Sequence, residues 1–351
     1  MTPLPAAIKV FFVSLFWTKK TGKRRAFMKK NIAIVMGGYS SEAEISLKSG
    51  QVVYENLDRE KYLPHRVHIL KDKWVYVDEA DREHPINMED FSTTINGYKT
   101  RFDFVFNAIH GHPGEDGTLL AYFELLGLPH SSASFYQMAV AFNKRDCLSL
   151  LKPYGVHMAK SVYLNQGDEI DADSIIAHTG LPCFVKPNRA GSSFGISKVY
   201  EKEKLNLALE KAFEEDSQIL IEEFLDGTEV SIGVITLNGQ VEVMPITEIV
   251  TENDFFDYEA KYLGASQEIT PARISEAQRK NVRKEARRIY STLQLKGLSR
   301  IDFMLVGDLP YFIELNMVPG LTEESILPKQ AQEAGMSLAE LFDSAIEGNI
   351  N

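Results

Sequence analysis

The chain has 351 residues, of which 44% are hydrophobic, and this is enough for two or three globular domains with a sizeable core. Its formal net charge of −11 argues against a basic nucleic-acid surface as the main binding feature. The two cysteines, Cys147 and Cys183, have no metal-type spacing and are too few for a disulfide framework, so the composition predicts a reducing cytoplasm.

Residues 1–28 differ from the rest of the chain. The apolar run at 8–17 is shorter than the roughly 20 residues that a membrane helix needs. A basic run follows it at 19–25, which is the wrong order for a signal peptide. We therefore expect no membrane insertion and treat residues 1–28 as an N-terminal extension, with a weak interfacial anchor as the alternative.

The fold is expected to begin with a buried strand, NIAIVMGG (31–38), followed by a helix. Ser41 and Glu44 have the spacing of a capping box, with Ser41 as the N-cap. A strand, a glycine turn and a helix are how doubly wound α/β units begin, and their ligands bind at the carboxyl ends of the strands. Glu42 is then either a ligand-binding acid or a helix-dipole acid. The G-x-G-x-x-G dinucleotide fingerprint is absent.

A second strand, RFDFVFNAIH (101–110), leads into a glycine-rich loop that contains His110 and Glu115. That loop either binds a small polar ligand or is simply solvated. A helix is predicted at 119–130, with a domain boundary near residue 131 and further helix over 134–155, which carries Lys144.

Two predicted antiparallel strands, CFVKP and GISKVY, flank a loop of small residues at 188–195. Such a loop lets backbone N–H groups approach a phosphate closely, and Lys186 at the end of the first strand would add positive charge. The alternative is a plain hairpin with a mobile loop.

The stretch 219–235 contains two β-rich runs across a turn at Asp226 and Gly227. Glu222 and Glu229 bracket this turn, and they would bond either a ligand's amino or hydroxyl groups or only water. The segment FFDYEAKYLG (255–264) has no clear periodicity, which is typical of a lid. Helices are predicted at 275–295 and 337–349.

The most informative stretch holds two predicted strands, at 301–306 and 311–316. With a three-residue loop at 307–309, Val306 faces Pro310, Met304 faces Phe312, Asp302 faces Glu314 and Arg300 faces Asn316, all on one face. Opposed like charges are destabilising unless a cation lies between them, and oxygen ligands of this kind suit Mg²⁺ or Mn²⁺. A two-residue loop would move Glu314 to the other face, and an ordinary hairpin with solvated acids remains the alternative.

Taken together, these motifs resemble the D-alanine–D-alanine ligases of the ATP-grasp superfamily. The resemblance runs from about Lys30 to the C-terminus and is carried, in order, by GGYSSEAEISL, HGHPGEDGTL, FVKPNRAGSSFGISKV, ILIEEFLDGTE, FFDYEAKY, GLSRIDFML and FIELNMVPGLTEES. It implies an α/β and α+β chain with an ATP-grasp fold. An open parallel α/β domain (29–131) would precede a central α+β subdomain (132–218) and a C-terminal α+β domain (219–351), and the last two would clasp ATP.

The resemblance also implies a role for each matching position. The first D-alanine would contact Glu42 and His110, and the second would contact Ser325. The lid would be locked by Ser192 and Tyr262, and the oxyanion hole formed by Arg300 and the Gly320 N–H. The residues implied for ATP are Lys144, Lys186, Ser193, Glu222, Phe224, Leu225, Glu229 and Lys261. Two Mg²⁺ or Mn²⁺ ions would be held by Asp302, Glu314 and Asn316.

The activity implied is the joining of two D-alanine molecules with ATP, through a D-alanyl phosphate, for peptidoglycan synthesis. A cytoplasmic homodimer is expected. Relatives that use D-lactate differ in the lid motif, and Tyr262 in EAKY favours an amine as the second nucleophile. A D-serine or depsipeptide ligase and a non-catalytic nucleotide sensor are the rival hypotheses, and a dinucleotide oxidoreductase is disfavoured.

Overall fold

The computed structural model describes residues 29–191, 194–251 and 266–350. Within these ranges three sheets follow one another along the chain. The boundaries expected at 131 and 218 stay predictions, and β11, which begins at Gln218, pairs within the second sheet.

The first sheet has seven strands in the order β6-β5-β4-β3-β2-β1-β7. They are β1 (Lys30–Gly37), β2 (Tyr62–Ile69), β3 (Trp74–Val77), β4 (Glu83–Asn87), β5 (Ser92–Ile95), β6 (Tyr98–Thr100) and β7 (Phe104–Asn107). β1 pairs in parallel with β2 and β7, whereas β3 to β6 are antiparallel. The expected parallel sheet is thus mixed, because the connections after β2 are too short for crossover helices.

Two helices follow the parallel strands, and the loops that lead into them lie at the same edge of the sheet, at the carboxyl ends of the strands. Helix α1 (Ala43–Asn56) follows β1, and α2 (Thr118–Leu125) follows β7. The capping box predicted at Ser41 is wrong: Glu42 is the N-cap, and its side chain makes no capping bond. Instead the Ser40 hydroxyl donates to His110 O at 3.0 Å and accepts from Glu42 N at 3.3 Å. The hydroxyl therefore ties the β1–α1 loop to the loop after β7.

The predicted helix at 134–155 is two helices, α3 (Phe135–Phe142) and α4 (Lys144–Leu151), followed by a short 3-10 turn. The break lies at Asn143, whose side chain accepts from Asp146 N at 3.0 Å and so caps α4. Lys144 becomes the first residue of a helix instead of an interior one.

The second sheet is antiparallel, in the order β10-β9-β11-β8. Its strands are β8 (Ser161–Asn165), β9 (Cys183–Pro187), β10 (Ser197–Val199) and β11 (Gln218–Glu223). Helices α5 (Ala172–Thr179) and α6 (Leu205–Glu215) bury their apolar residues against it in a separate core cluster. The predicted pairing of CFVKP with GISKVY is confirmed.

The third sheet is antiparallel, in the order β14-β13-β12-β15-β16. Its strands are β12 (Thr228–Leu237), β13 (Gln240–Thr251), β14 (Ser266–Ile269), β15 (Leu298–Val306) and β16 (Leu309–Asn316). The turn at Asp226 and Gly227 therefore moves the chain from one sheet to the next. Only a glycine fits there, because a Cβ on Gly227 would lie 2.1 Å from Leu305 O.

Among the described residues, three helices accompany this sheet: α7 (Glu276–Thr292), α8 (Ile326–Glu333) and α9 (Leu338–Glu347). The helices predicted at 275–295 and 337–349 are confirmed, and Ser275 and Ser337 begin them with capping boxes. Helix α9 also reaches the first sheet, where Phe342 makes an edge contact with Phe106 at 5.8 Å. This contact holds the first sheet against the third.

The register of the β15–β16 hairpin corrects one prediction and confirms another. The loop has two residues, with Val306 facing Leu309 and Met304 facing Tyr311, so the pairs Val306–Pro310 and Met304–Phe312 are wrong. A bulge at Ile313 then shifts the register by one residue. Beyond it, Asp302 faces Glu314 and Arg300 faces Asn316, as predicted. The extra residue of the bulge compensates for the shorter loop, so Glu314 lies on the same face of the hairpin as Asp302.

A second bulge, in β13 opposite Gly233 of β12, is stabilised by a buried side chain. Gly233 falls between the residues at which the β12–β13 register shifts. Its N–H donates to Gln330 Oε1 at 2.8 Å, and Gln330 Nε2 donates to Ser231 O and Thr247 Oγ1, each at 2.9 Å. Gln330 is fully buried, so it fastens α8 to the sheet at this point.

Gln330→Leu should lower the free energy of unfolding by about 2–4 kcal/mol, because it leaves buried backbone groups without partners. The measurement is urea unfolding followed by circular dichroism. Gln332→Leu on the exposed side of the same helix is the control and should change stability by less than about 0.5 kcal/mol. Equal effects of the two changes would show that the Gln330 bonds do not stabilise the fold.

Candidate active site

A cavity of about 390 Å³ lies where the three sheets meet. The β1–α1 loop and the loop after β7 form one side, and the β15–β16 hairpin and the segment leading into α8 form another. Predicted site residues that line it are Glu42, His110, Lys144, Arg300, Glu314, Asn316, Gly320 and Ser325. Residues some 280 positions apart in the sequence thus share one space.

The opposed acids of the hairpin are each compensated by a cation. Asp302 is only 7% exposed, and Arg300 holds it through Nε–Oδ1 at 3.0 Å and Nη2–Oδ2 at 2.8 Å. Ser231 Oγ and Asn316 Nδ2 also donate to Asp302, at 2.6 and 3.1 Å. Lys144 Nζ lies 3.5 Å from Glu314 Oε2. The alternative of an ordinary hairpin with solvated acids is therefore wrong for Asp302.

These side chains have the donor chemistry for a divalent metal. Two carboxylates and one amide supply hard oxygen ligands of the kind that Mg²⁺ and Mn²⁺ take alongside substrate phosphates. In the part of the chain that the structure describes, no three His, Cys, Asp or Glu side chains form a metal cluster by themselves. A metal at this hairpin would therefore need the Asn316 amide and ligand oxygens to complete its coordination.

Two lysines bring positive charge towards the hairpin. Lys144 Nζ donates to Ala190 O at 3.0 Å, which ties α4 to the loop that follows β9. Lys186 Nζ donates to Glu222 Oε2 at 2.7 Å. Burial lowers the pKa of Lys186, but the charges of Glu222, Glu314 and Glu229 outweigh it, so the net shift is upward. Lys186 therefore carries its proton at neutral pH.

Arg300 is a fixed positive charge in the cavity wall. Burial lowers its pKa, but Asp302, followed by Glu314 and Glu268, raises it by more. Because Asp302 accepts from both Nε and Nη2, the guanidinium plane is held in one orientation. Such a group is suited to stabilising negative charge that develops on a bound ligand.

The loop after β9 passes directly over Glu42. A Cβ placed on Gly191 would lie 2.6 Å from Glu42 Oε2, so a larger residue here would displace the Glu42 carboxylate. The predicted lid and phosphate residues Ser192, Ser193, Lys261 and Tyr262 lie outside the described residues. The approach of Gly191 nevertheless brings the predicted phosphate loop and the predicted substrate acid to the same place.

The residues predicted for adenine and ribose lie at the β11–β12 connection. Glu222, Phe224, Leu225 and Glu229 are not among the described residues that line the cavity. Phe224 stacks obliquely on Phe184 with 6.3 Å between ring centroids, and the Lys198 ammonium lies 4.2 Å above the Phe224 ring. This aromatic and cationic surface continues outward from Lys186 and Glu222.

His110 is held as a neutral ring between protein groups. A backbone carbonyl only accepts, so Nδ1 carries the proton and donates to Val318 O at 2.8 Å. Nε2 then accepts from the Ser49 hydroxyl at 3.0 Å. Burial, the largest effect, lowers the pKa of His110 and keeps the ring uncharged.

Two cavity residues were undervalued or missed by sequence reasoning. The sequence marked Glu115 as an acid in a glycine-rich loop without a specific role. In the structure, its oxygens accept hydrogen bonds from Gly111 N at 3.0 Å and from Val318 N at 3.4 Å. Burial and then the Glu42 charge raise the pKa of Glu115 to about 7. Glu268 on β14 lines the cavity and pairs with Lys329 at 3.4 Å. No local pattern in the sequence marks Glu268.

The segment before α8 has a backbone suited to binding an anion. Ser325 is the N-cap of α8 but makes no side-chain capping bond, and its hydroxyl bonds that of Thr322 at 2.8 Å. A Cβ on Gly320 would lie 2.6 Å from Ser325 Oγ. Gly320 therefore lies against the N-cap residue of α8, and helix N-termini are places where anions bind.

The sheets and this cavity define the class of protein. Solved structures that resemble the chain include D-alanine–D-alanine and D-Ala:D-Ser ligases, which have the ATP-grasp fold. The D-Ala:D-Ser ligase VanG from Enterococcus faecalis is 32% identical, with a TM-score of 0.81, and the match covers 91% of this chain and 99% of that one. The D-alanine–D-alanine ligase from Bacillus anthracis complexed with ATP is 27% identical, with a TM-score of 0.73 and coverage of 91% and 97%.

Sequence comparison then identifies the family. Residues 31–133 match the family described as "D-ala D-ala ligase N-terminus", and residues 150–347 match "D-ala D-ala ligase C-terminus". The D-alanine–D-alanine ligase of Flavobacterium johnsoniae is 61% identical over 91% of this chain and 98% of the relative. That of Christiangramia forsetii is 54% identical over 92% and 99%. The chain belongs to the D-alanine–D-alanine ligase family.

The described residues contain no helix of the length and apolar character that crossing a membrane requires.

Glu115 should make stability depend on pH. Its pKa rises from 4.5 to about 7 on folding, so the folded state binds the extra proton between these values. The free energy of unfolding should therefore fall as the pH rises through this window, by on the order of 2 kcal/mol. Urea unfolding at pH 5 and pH 8 should show this loss in the natural protein and a smaller loss in Glu115→Gln. Parallel pH profiles for the two proteins would contradict the assignment.

Proposed function

We propose that the protein ligates two D-alanine molecules to D-alanyl-D-alanine with ATP, through a D-alanyl phosphate intermediate, for peptidoglycan synthesis. The observation that carries this proposal is the convergence on one cavity of Arg300 with its paired acid Asp302, the cation–acid pair Lys144 and Glu314, and the acid Glu42. Family membership supplies the substrates. Phosphoryl transfer requires charge stabilisation and positioning more than covalent chemistry by the protein, and this cavity offers both.

The first substrate would lie between the N-terminal loops and Arg300. Glu42 would bind its ammonium group, and the loop that holds His110 would border its carboxylate. Lys144 and Lys186 would bind the α- and β-phosphates of ATP, and Lys261 and Ser193 would contact the phosphates from the loops. Glu222, Phe224 and Leu225 would bind adenine, and Glu229 the ribose. The Lys186–Glu222 ion pair fixes both side chains at the border between these two regions.

The reaction has two steps. A carboxylate oxygen of the first D-alanine attacks the γ-phosphorus, the bond to the bridging oxygen of ADP breaks, and D-alanyl phosphate and ADP result. The deprotonated amine of the second D-alanine, held at Ser325, then attacks the acyl carbon. Arg300 and the Gly320 N–H would stabilise the tetrahedral oxyanion, which collapses with loss of phosphate. Ser192 and Tyr262 would join Glu42 in closing the lid, because water hydrolyses acyl phosphates.

Asp302, Glu314 and Asn316 would hold two Mg²⁺ or Mn²⁺ ions. When bound, these ions would neutralise charge on the transferred phosphoryl group. The residues present fit that role, since Asp302 and Glu314 face each other at one end of the hairpin and supply only oxygen donors.

We also propose a cytoplasmic homodimer. The two cysteines, Cys147 and Cys183, are free and buried, as expected in a reducing compartment. The Phe135 N–H bond to Glu124 joins the start of α3 to the end of α2. At this place Leu125 is 88% exposed to solvent and Tyr136 is 57% exposed. An apolar surface of this kind would suit self-association.

A D-alanine–D-serine ligase is the second candidate, because one solved structure resembling the chain has that activity. Identity to the D-alanine–D-alanine ligase of Flavobacterium johnsoniae, at 61%, is nearly twice the 32% identity to VanG, which favours D-alanine as the second substrate. A non-catalytic nucleotide sensor would bind ATP without substrate-dependent ADP formation.

With ATP and Mg²⁺, ADP release should depend on added D-alanine and should yield one dipeptide per ADP. The measurement is coupled detection of ADP together with chromatography of the products. D-serine and D-lactate offered as competing second substrates should give at least about tenfold less product, which corresponds to roughly 1.4 kcal/mol of discrimination. ATP binding without ADP release would favour the sensor, and a predominance of D-alanyl-D-serine would favour the second candidate.

Glu314→Gln should lower kcat by roughly 10²–10³-fold while the protein stays folded, because it removes one of the opposed charges that would hold the metal and the phosphates. Steady-state ADP release at several Mg²⁺ concentrations measures this. Asp308→Asn is the matched control, since it makes the same charge change in the exposed turn of the same hairpin. Full activity in Glu314→Gln would refute the metal assignment.

A further inference from the structure

The segment 317–321, between β16 and α8, is fastened to the mouth of the first sheet by three side chains. His110 Nδ1 donates to Val318 O at 2.8 Å, and the Val318 N–H donates to Glu115 Oε1 at 3.4 Å. The Leu321 N–H donates to Ser49 Oγ at 3.4 Å. Both peptide groups of Val318 are therefore held from the same side, two residues before Gly320.

Glu115 can hold the Val318 N–H because both oxygens of its carboxylate accept hydrogen bonds. Its second oxygen, Oε2, accepts from the Gly111 N–H at 3.0 Å, so one carboxylate joins two backbone N–H groups from different parts of the chain. An ionised carboxylate accepts at both oxygens and has no donor of its own. A glutamine would turn an NH₂ group towards one of these N–H groups and lose that bond. The raised pKa of about 7 leaves Glu115 ionised at pH 8.

We propose that Glu115 is a positioning residue of the ligation step: it fixes the segment 317–321 so that the Gly320 N–H is directed at the oxyanion of the tetrahedral intermediate. Glu115 acts through the Val318 peptide and does not itself touch the reacting atoms. The inference rests on the proposed function, which places Gly320 in the oxyanion hole.

The two chemical steps should respond differently when this segment is displaced. In the first step, negative charge develops on the phosphoryl group, which is near Lys144 and the hairpin acids. In the second step it develops on the acyl oxygen, where Gly320 is expected. Loss of the Glu115 bond should therefore slow attack by the amine more than phosphoryl transfer.

A slowed second step has a measurable consequence. D-alanyl phosphate that is not captured by the amine reacts with water: the water oxygen bonds to the acyl carbon, the bond from that carbon to the phosphate oxygen breaks, and D-alanine and phosphate leave. The net reaction is hydrolysis of ATP to ADP and phosphate. The ratio of ADP formed to dipeptide formed then rises above one.

The experiment measures that ratio at pH 8 in the full chain with ATP, Mg²⁺ and D-alanine. In Glu115→Gln we expect dipeptide kcat to fall about tenfold or more, the ADP-to-dipeptide ratio to rise severalfold, and KM for ATP to stay unchanged. Glu340→Gln is the matched control. It makes the same change in a carboxylate that accepts the Ser337 N–H at 2.8 Å in the remote helix α9, and its ratio should stay at one.

A second variant keeps the test decisive if Glu115→Gln does not fold. Ser49→Ala removes the bond to the Leu321 N–H and the bond to His110 Nε2, both of which hold the segment 317–321 in place, and it should raise the ratio in the same direction by a smaller factor. A ratio of one in these variants with unchanged kcat would overturn the inference. A ratio of one with a raised KM for D-alanine would also overturn it and would assign Glu115 to substrate binding. Absence of D-alanine-dependent ADP in the natural protein would instead refute the proposed function.

Discussion

The opposition of Asp302 and Glu314 across the β15–β16 hairpin is the constraint on which the cavity depends. Two carboxylates this close repel unless positive charge compensates them. Arg300 lies on β15 with Asp302 and donates two hydrogen bonds to it. Lys144, at the start of α4, forms an ion pair with Glu314. The packing of α4 beside the hairpin therefore contributes to the charge balance of the third sheet.

The same contacts join parts of the molecule that could otherwise move independently. Lys144 also bonds Ala190 O, His110 holds the Val318 carbonyl, and Phe342 of the last helix packs on Phe106 of the first sheet. The cavity is enclosed by these junctions and not by any single sheet. For a reaction whose acyl phosphate is destroyed by water, an enclosure assembled from separate units can open to admit substrates and close before transfer.

Sequence patterns predicted most of the elements but not their exact ends. The apolar runs predicted β12, β15 and β16 of the third sheet and the helices at 275–295 and 337–349 correctly, whereas β13 and β14 were not predicted. The β15–β16 loop was predicted one residue too long, and the Asp302–Glu314 pair is still correct because the bulge at Ile313 shifts the register back. The position of a bulge depends on packing against both faces of a sheet, so a local sequence pattern does not predict it. Likewise Asn143, which divides the helix at 134–155, looked like any other helix residue.

What the sequence indicated by itself is the chemistry: the motifs that contain Glu42, Lys186, Arg300, Asp302 and Glu314 resemble those of the D-alanine–D-alanine ligases, and this resemblance implies the reaction. Only the tertiary structure decided which of these groups share the cavity, that His110 is a neutral ring held at both nitrogens, and that Glu115 supports the Val318 peptide. The reason is physical. Residue types and local periodicity are properties of short stretches, whereas burial, charge compensation and the pKa of a buried carboxyl arise from segments that meet only after the chain has folded.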